Sequence, residues 1–154
     1  MKWSEKLTKY IDLFSEETIG EWHVDTEGDG SLERPYQLPF VVYSDLVNEF
    51  ISDIYDYADQ IGVNDYAEIL KRNGIEWKSK SMSAVDVTGL SVDVICALLL
   101  GAVRAEKFCD GALLGFFESG AIKKWLTELV NKAQDDKEKR RVEMIGDKVL
   151  HPIF

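Results

Sequence analysis

From Ser4 to Phe14 the apolar positions Leu7, Tyr10, Ile11 and Phe14 recur at spacings of three and four. That is the period of one helix face, and it predicts an opening amphipathic helix. The period then breaks. Gly20, Gly28, Gly30, Pro35 and Pro39 punctuate Ser15 to Tyr43, where only Glu21-Trp22-His23-Val24 and Phe40-Val41-Val42-Tyr43 read as short strands. Their pairing predicts a hairpin whose connection holds the acidic stretch Asp25 to Gly30. The helical period returns with the stripe Val47, Phe50, Ile51, Ile54, Ala58 and Ile61. Ser44 is placed to cap the first turn of that helix and Gly62 to end its last.

A shorter helix is expected over Asp65 to Arg72, with Asn64 as cap and Asn73-Gly74 as stop. Lys78 to Leu90 shows no sustained period and reads as a loop or a short irregular piece. Val94 to Val103 is apolar almost all round, so a helix from Ser91 to about Lys107 belongs at the centre of the fold. Asp110 is placed to cap a short helix through Phe117. A last helix, from Ala121 to about Lys137, carries Ile122, Trp125, Leu126, Leu129 and Val130 on one face. A charge run from Asp135 to Arg141 and an apolar tail from Val142 to Phe154 follow. The pattern predicts a mainly α protein: one domain over 1–154, of about five to six helices with a short β-hairpin in its N-terminal third. Residues 1–137 form the helical core and 138–154 the tail.

A chain of 154 residues buries enough apolar surface to fold without staples. Its two cysteines, Cys96 and Cys109, then read as buried, reduced thiols of a cytoplasmic protein. Met1 to Lys6 lacks the apolar core of a secretory signal. The run Val94 to Val103 is about half the roughly 20 residues a membrane crossing needs, so no membrane association is expected.

Charge changes the picture more. The formal net charge is -10, and it is unevenly spread. Asp12 to Asp59 holds thirteen acidic side chains and one base, Arg34, whereas residues 1–11 carry a net +2 and the chain from Gln60 onward balances. Direct binding of nucleic-acid phosphates is disfavoured, because it needs a locally basic surface. Asp45, Glu49, Asp53, Asp56 and Asp59 share one side of the Ser44 helix, where such like charges repel. That face is a solvated surface opposite the apolar stripe, a docking surface for a basic partner or a decoy for nucleic acid, or, as the least expected reading, a divalent-metal site.

Other chemistry finds little support. Asp25 to Glu33 has acids at alternating positions and a glycine sixth, as in a calcium loop. Its twelfth position, however, is Tyr36 where a bidentate glutamate is required, so an exposed acidic turn is the better reading. His23 and His151 are far from Cys109 in sequence, and neither a phosphate loop nor zinc spacing is present. No catalytic residue, metal or cofactor is implied. Arg104, Glu106 and Asp110 bracket Phe108-Cys109 between two apolar helices, where unpaired charge is costly. One reading is a structural corner, with Asp110 capping the next helix and Arg104 bonded to Glu118. The other is a small-ligand or catalytic pocket around these residues with Trp22 or Tyr43 as an aromatic wall.

The run Arg104-Ala105-Glu106-Lys107-Phe108-Cys109-Asp110-Gly111, followed by Glu118-Ser119-Gly120, resembles the C-terminal half of an uncharacterised family of small, mostly helical bacterial proteins. The opening Tyr10-Ile11-Asp12-Leu13-Phe14, the Gly20-Glu21-Trp22 element, Pro35-Tyr36 and Tyr43-Ser44 match that family in the same order. The likeness spans roughly residues 8–133, with Gln37-Leu38-Pro39-Phe40 as an insertion. It implies a compact bacterial domain and assigns no activity. The leading expectation is therefore a non-enzymatic, immunity- or inhibitor-like domain that presents its acidic helix face to a basic macromolecule. The pocket around Arg104 is the alternative, and a homodimer through the apolar tail is the third arrangement open to the chain.

Overall fold

The structure is a computed structural model that describes residues 3–132. In chain order it runs α1 (Trp3–Glu16), β1 (Gly20–His23), β2 (Phe40–Tyr43), α2 (Asp45–Ile61), α3 (Tyr66–Arg72), α4 (Ser79–Ser83), a single 3-10 turn (Val87–Gly89), α5 (Val92–Ala105) and α6 (Ala112–Glu118). A last helix, α7, covers residues 121–132. The expected mainly α fold with an N-terminal hairpin is observed, with seven α-helices among the described residues. The extra one is α4, in the segment expected to be irregular. It is a five-residue turn that carries a single buried side chain, Met82, so it leaves no periodic signal. The charge run, the apolar tail and His151 lie outside the described residues.

The apolar run on α5 makes it the centre. Ile95, Cys96, Ala97, Leu98, Leu99 and Ala102 have no exposed surface, because α2, α3 and α6 pack around it. Each fully buried Leu or Ile contributes about 1.5–3 kcal/mol relative to exposure. Gly101 lets one neighbour come close. A Cβ there would stand 3.2 Å from Met82 Cε and 3.5 Å from Trp77 Cδ1, and Trp77 Nε1 donates to the Gly101 carbonyl at 2.9 Å. A second cluster of rings joins α1, α2 and α6: Phe14 packs on Tyr10, Phe50 and Phe117 with centroids 4.8–5.3 Å apart.

The helix ends show which sequence signals carry physical weight. Ser44 caps α2 by accepting from the Val47 amide, and Gly62 closes it in the left-handed region at φ 78°. Asp65 rather than Asn64 caps α3, accepting from the Glu68 amide at 3.2 Å. Asp110 does not cap α6. The position before Ala112 is Gly111, at φ 89°, and the cap is supplied by Glu106. The hairpin is antiparallel with Gly20 opposite Tyr43 and His23 opposite Phe40, and Ser44 N–H closes its base on the Ile19 carbonyl at 2.9 Å.

Candidate functional site

Three of the sequence elements singled out above converge at the corner between α5 and α6. Glu106 is held there by donors from two directions. Its carboxylate accepts from the amides of Gly111 at 2.9 Å and Leu113 at 3.0 Å, and from the Tyr43 hydroxyl. The Tyr43 oxygen in turn accepts from the Leu114 amide at 3.0 Å. Burial, then the bond to Glu106, pushes the Tyr43 phenol well above its ordinary pKa, so it stays a donor. Trp22 lies across Gly111 so closely that a Cβ on that glycine would stand 2.3 Å from Trp22 Cζ2. With its left-handed backbone as well, Gly111 has two reasons to carry no side chain. The corner thus clamps both strands of the hairpin to the helical core.

Beyond this clamp the hairpin is an arm in solvent. Among the described residues nine large apolar side chains are exposed, and seven of them lie between Trp22 and Val42. Leu32, Leu38 and Tyr36 are 104%, 85% and 70% exposed. Exposed apolar side chains are thus concentrated on one element and not scattered singly over the surface. Glu21, Asp25, Glu27, Asp29 and Glu33 are interleaved with them. The loop between the strands has a built shape. Asp25 Oδ1 accepts from the amides of Glu27 and Gly28 at 2.9 Å, and Oδ2 from the Gln37 amide at 2.8 Å. These bonds, that of Gln37 foremost, hold the Asp25 carboxyl below its ordinary pKa. The Arg34 carbonyl accepts from the amides of Asp29 and Gly30, and the Tyr36 ring packs over Gly30.

The acidic side of α2 is a different object. Asp53 is buried, with the Tyr10 hydroxyl on one carboxylate oxygen and Lys6 Nζ 3.2 Å from the other. Burial, and after it the bond to Asp53, raises the Tyr10 phenol pKa far out of the physiological range. Glu49 pairs with Lys9 at 2.7 Å. The five-acid docking face is therefore covered at its middle by α1, and only Asp45, Asp56 and Asp59 remain exposed without an ion pair among the described residues.

The pocket expected around Arg104, Glu106 and Asp110 is divided. Arg104 turns away from Glu106 toward the Tyr55 and Tyr66 hydroxyls, Tyr55 foremost, which hold the guanidinium above its ordinary pKa. The Tyr55 oxygen is buried, and its contact with Arg104 falls outside strict hydrogen-bond geometry. Arg104 does not bond Glu118, which lines another cleft of about 360 Å³ with Phe14, Ile19 and Lys123. Asp110 is exposed in the turn. Trp22 and Tyr43 belong to the Glu106 clamp and do not line the cleft beside Arg104. Not apparent from the sequence were Lys6 and Lys9 as partners of the acids, and Tyr55 and Tyr66 as the groups beside Arg104. The net +2 at the start of the chain, next to the acidic third, was the signal for the lysines.

Cys96 is buried and its thiol is pushed up to about 12, by burial first and by Asp93 second. Cys109 is exposed, contrary to the expectation of two buried thiols, because the chain turns outward after α5. It lies on an apolar cleft of about 330 Å³ with Trp77, Phe108 and Met82. Among the described residues no cluster of acids, histidines and cysteines is arranged to hold a metal, and no helix is long and apolar enough to cross a membrane.

The Trp22, Tyr43 and Gly111 positions that build the clamp are those on which the sequence resembled a known family. A model of DUF6508, a family of unknown function, matches residues 2–135. The chain belongs to that family. No curated protein and no solved structure matches it. The DUF6508 match takes in the whole hairpin arm and the clamp, and extends past the likeness expected over residues 8–133 at both ends.

Proposed function

We propose that this DUF6508 protein is a non-enzymatic interaction domain whose hairpin arm docks on a basic protein surface. The observation that carries the reading is the concentration of exposed apolar side chains on an acidic, internally hydrogen-bonded arm clamped to a helical core. Apolar side chains such as Leu32, Tyr36 and Leu38 supply buried contact, while the acids steer encounter and select a basic partner. A loop already shaped by Asp25 loses less conformational freedom on binding than a floppy one. Phosphate-bearing partners are repelled by the same acids, and so is a second copy of the arm. Asp45, at the foot of the arm, extends its field, and Asp56 and Asp59 add to it from farther along α2. The free thiols of Cys96 and Cys109 accord with a cytoplasmic setting. An inhibitor or immunity protein of a basic enzyme is the kind of activity such an arm serves.

The test compares the wild type with a variant carrying Leu32→Ser, Tyr36→Ser and Leu38→Ser, both immobilised and presented with lysate of the native organism. The expected result is a basic protein retained by the wild type, released by salt and not retained by the variant. Equal retention by both removes the arm from the function.

A further inference from the structure

The cleft beside Arg104 carries an inference independent of the arm. It opens between the last turn of α2, the start of α3 and the second half of α5, with a volume of about 300 Å³, at the small end of the range for small-molecule sites. Leu100 and Val63, both buried, give it apolar walls. Two opposite charges face into it: Arg104 and Asp59. They do not pair with one another, since no carboxylate among the described residues comes within 4.0 Å of the Arg104 guanidinium. Tyr55, Tyr66 and Asn64 also line it.

A guanidinium presents a planar fork of donors that matches a carboxylate. A simple anion in this cleft gains from Arg104 and is repelled by Asp59, and a simple cation meets the reverse. A molecule that carries both charges satisfies both groups. We propose that the cleft binds a small zwitterion, an α-amino acid being the simplest, with its carboxylate on Arg104 and its ammonium on Asp59. Val63 and Leu100 meet the side chain.

The experiment is calorimetric titration of the full chain with the standard free L-amino acids and with their N-acetyl and amide counterparts. At least one free amino acid is expected to bind. Its N-acetyl form, which lacks the ammonium, and its amide, which lacks the carboxylate, are expected to bind at least about tenfold more weakly. Arg104→Gln is expected to cost at least about tenfold in affinity. Asp59→Asn, an exposed position whose change leaves the core intact, is expected to weaken the free amino acid similarly while sparing the N-acetyl form. Circular dichroism of both variants shows whether they are folded. The proposal is overturned if no free amino acid binds, if N-acetyl and free forms bind equally, or if Asp59→Asn leaves the affinity unchanged.

Discussion

Two acidic regions stand side by side in this chain, and the structure uses their charge in opposite ways. On α2 the central carboxylates are absorbed: Lys6 and the Tyr10 hydroxyl satisfy buried Asp53, and Lys9 holds Glu49. Along the arm, Asp25 accepts from backbone amides and Asp29 from the hydroxyl and amide of Ser31, neutral donors that fix the loop and bring no cation to the carboxylates. Charge met by a cation belongs to the fold, whereas charge met by neutral donors still acts on the surroundings. On the proposed function the docking surface lies on the arm and not on the helix face.

The sharpest test of that contrast is Asp53→Ala. It strands the Tyr10 hydroxyl in the core and leaves Lys6 without its carboxylate, and a loss of about 2–4 kcal/mol is expected from chemical unfolding. A loss near zero would place Asp53 among the solvated acids after all. Next comes Gly111→Ala, which forces a side chain into Trp22 and a left-handed backbone. A loss of about 1–3 kcal/mol is expected, together with a change in Trp22 fluorescence as the arm is pushed off its clamp. Unchanged emission would mean that the arm is held elsewhere. Tyr43→Phe removes the hydroxyl from Glu106 and from the Leu114 amide, and should cost about 1 kcal/mol while loosening β2 in amide exchange.

The smallest expected effect on stability is that of acid on the arm. Because the folded Asp25 carboxyl titrates below its ordinary value of 3.8, its bonds contribute fully above that pH and are lost as pH falls through the lower folded value. The amides of Glu27, Gly28 and Gln37 should therefore lose protection below about pH 4 with the helical core intact. Protection that persists unchanged to stronger acid would mean that the loop is held by its other contacts.

Much of the fold was legible in the residues, and the reason is local. The α2 stripe from Val47 to Ile61, the Ser44 cap, the Gly62 stop and the two strands are written within a few residues of where they act. What stayed hidden depends on partners distant in sequence. Glu106 as the cap of α6 needs Tyr43, 63 residues away, and Asp53 needs Tyr10, 43 residues away. The Arg104, Glu106 and Asp110 constellation looked like one site because the residues are neighbours in the chain. On the α5 helix and the turn that follows it, two residues' difference points Arg104 and Glu106 toward different neighbours. The arm's exposure was equally invisible, since Leu32, Tyr36 and Leu38 are residue types that usually sit in a core and are exposed here.

The most direct measurement of the central claim is a three-way affinity capture at low and high salt. It uses the wild type, the arm variant with Leu32, Tyr36 and Leu38 all changed to Ser, and a face variant with Asp45→Asn, Asp56→Asn and Asp59→Asn. The account predicts that a basic protein binds the wild type and the face variant, is released by salt, and is lost with the arm variant, whose stability stays within about 0.5 kcal/mol of the wild type. Capture that survives in the arm variant and disappears in the face variant would contradict it and return the docking surface to α2.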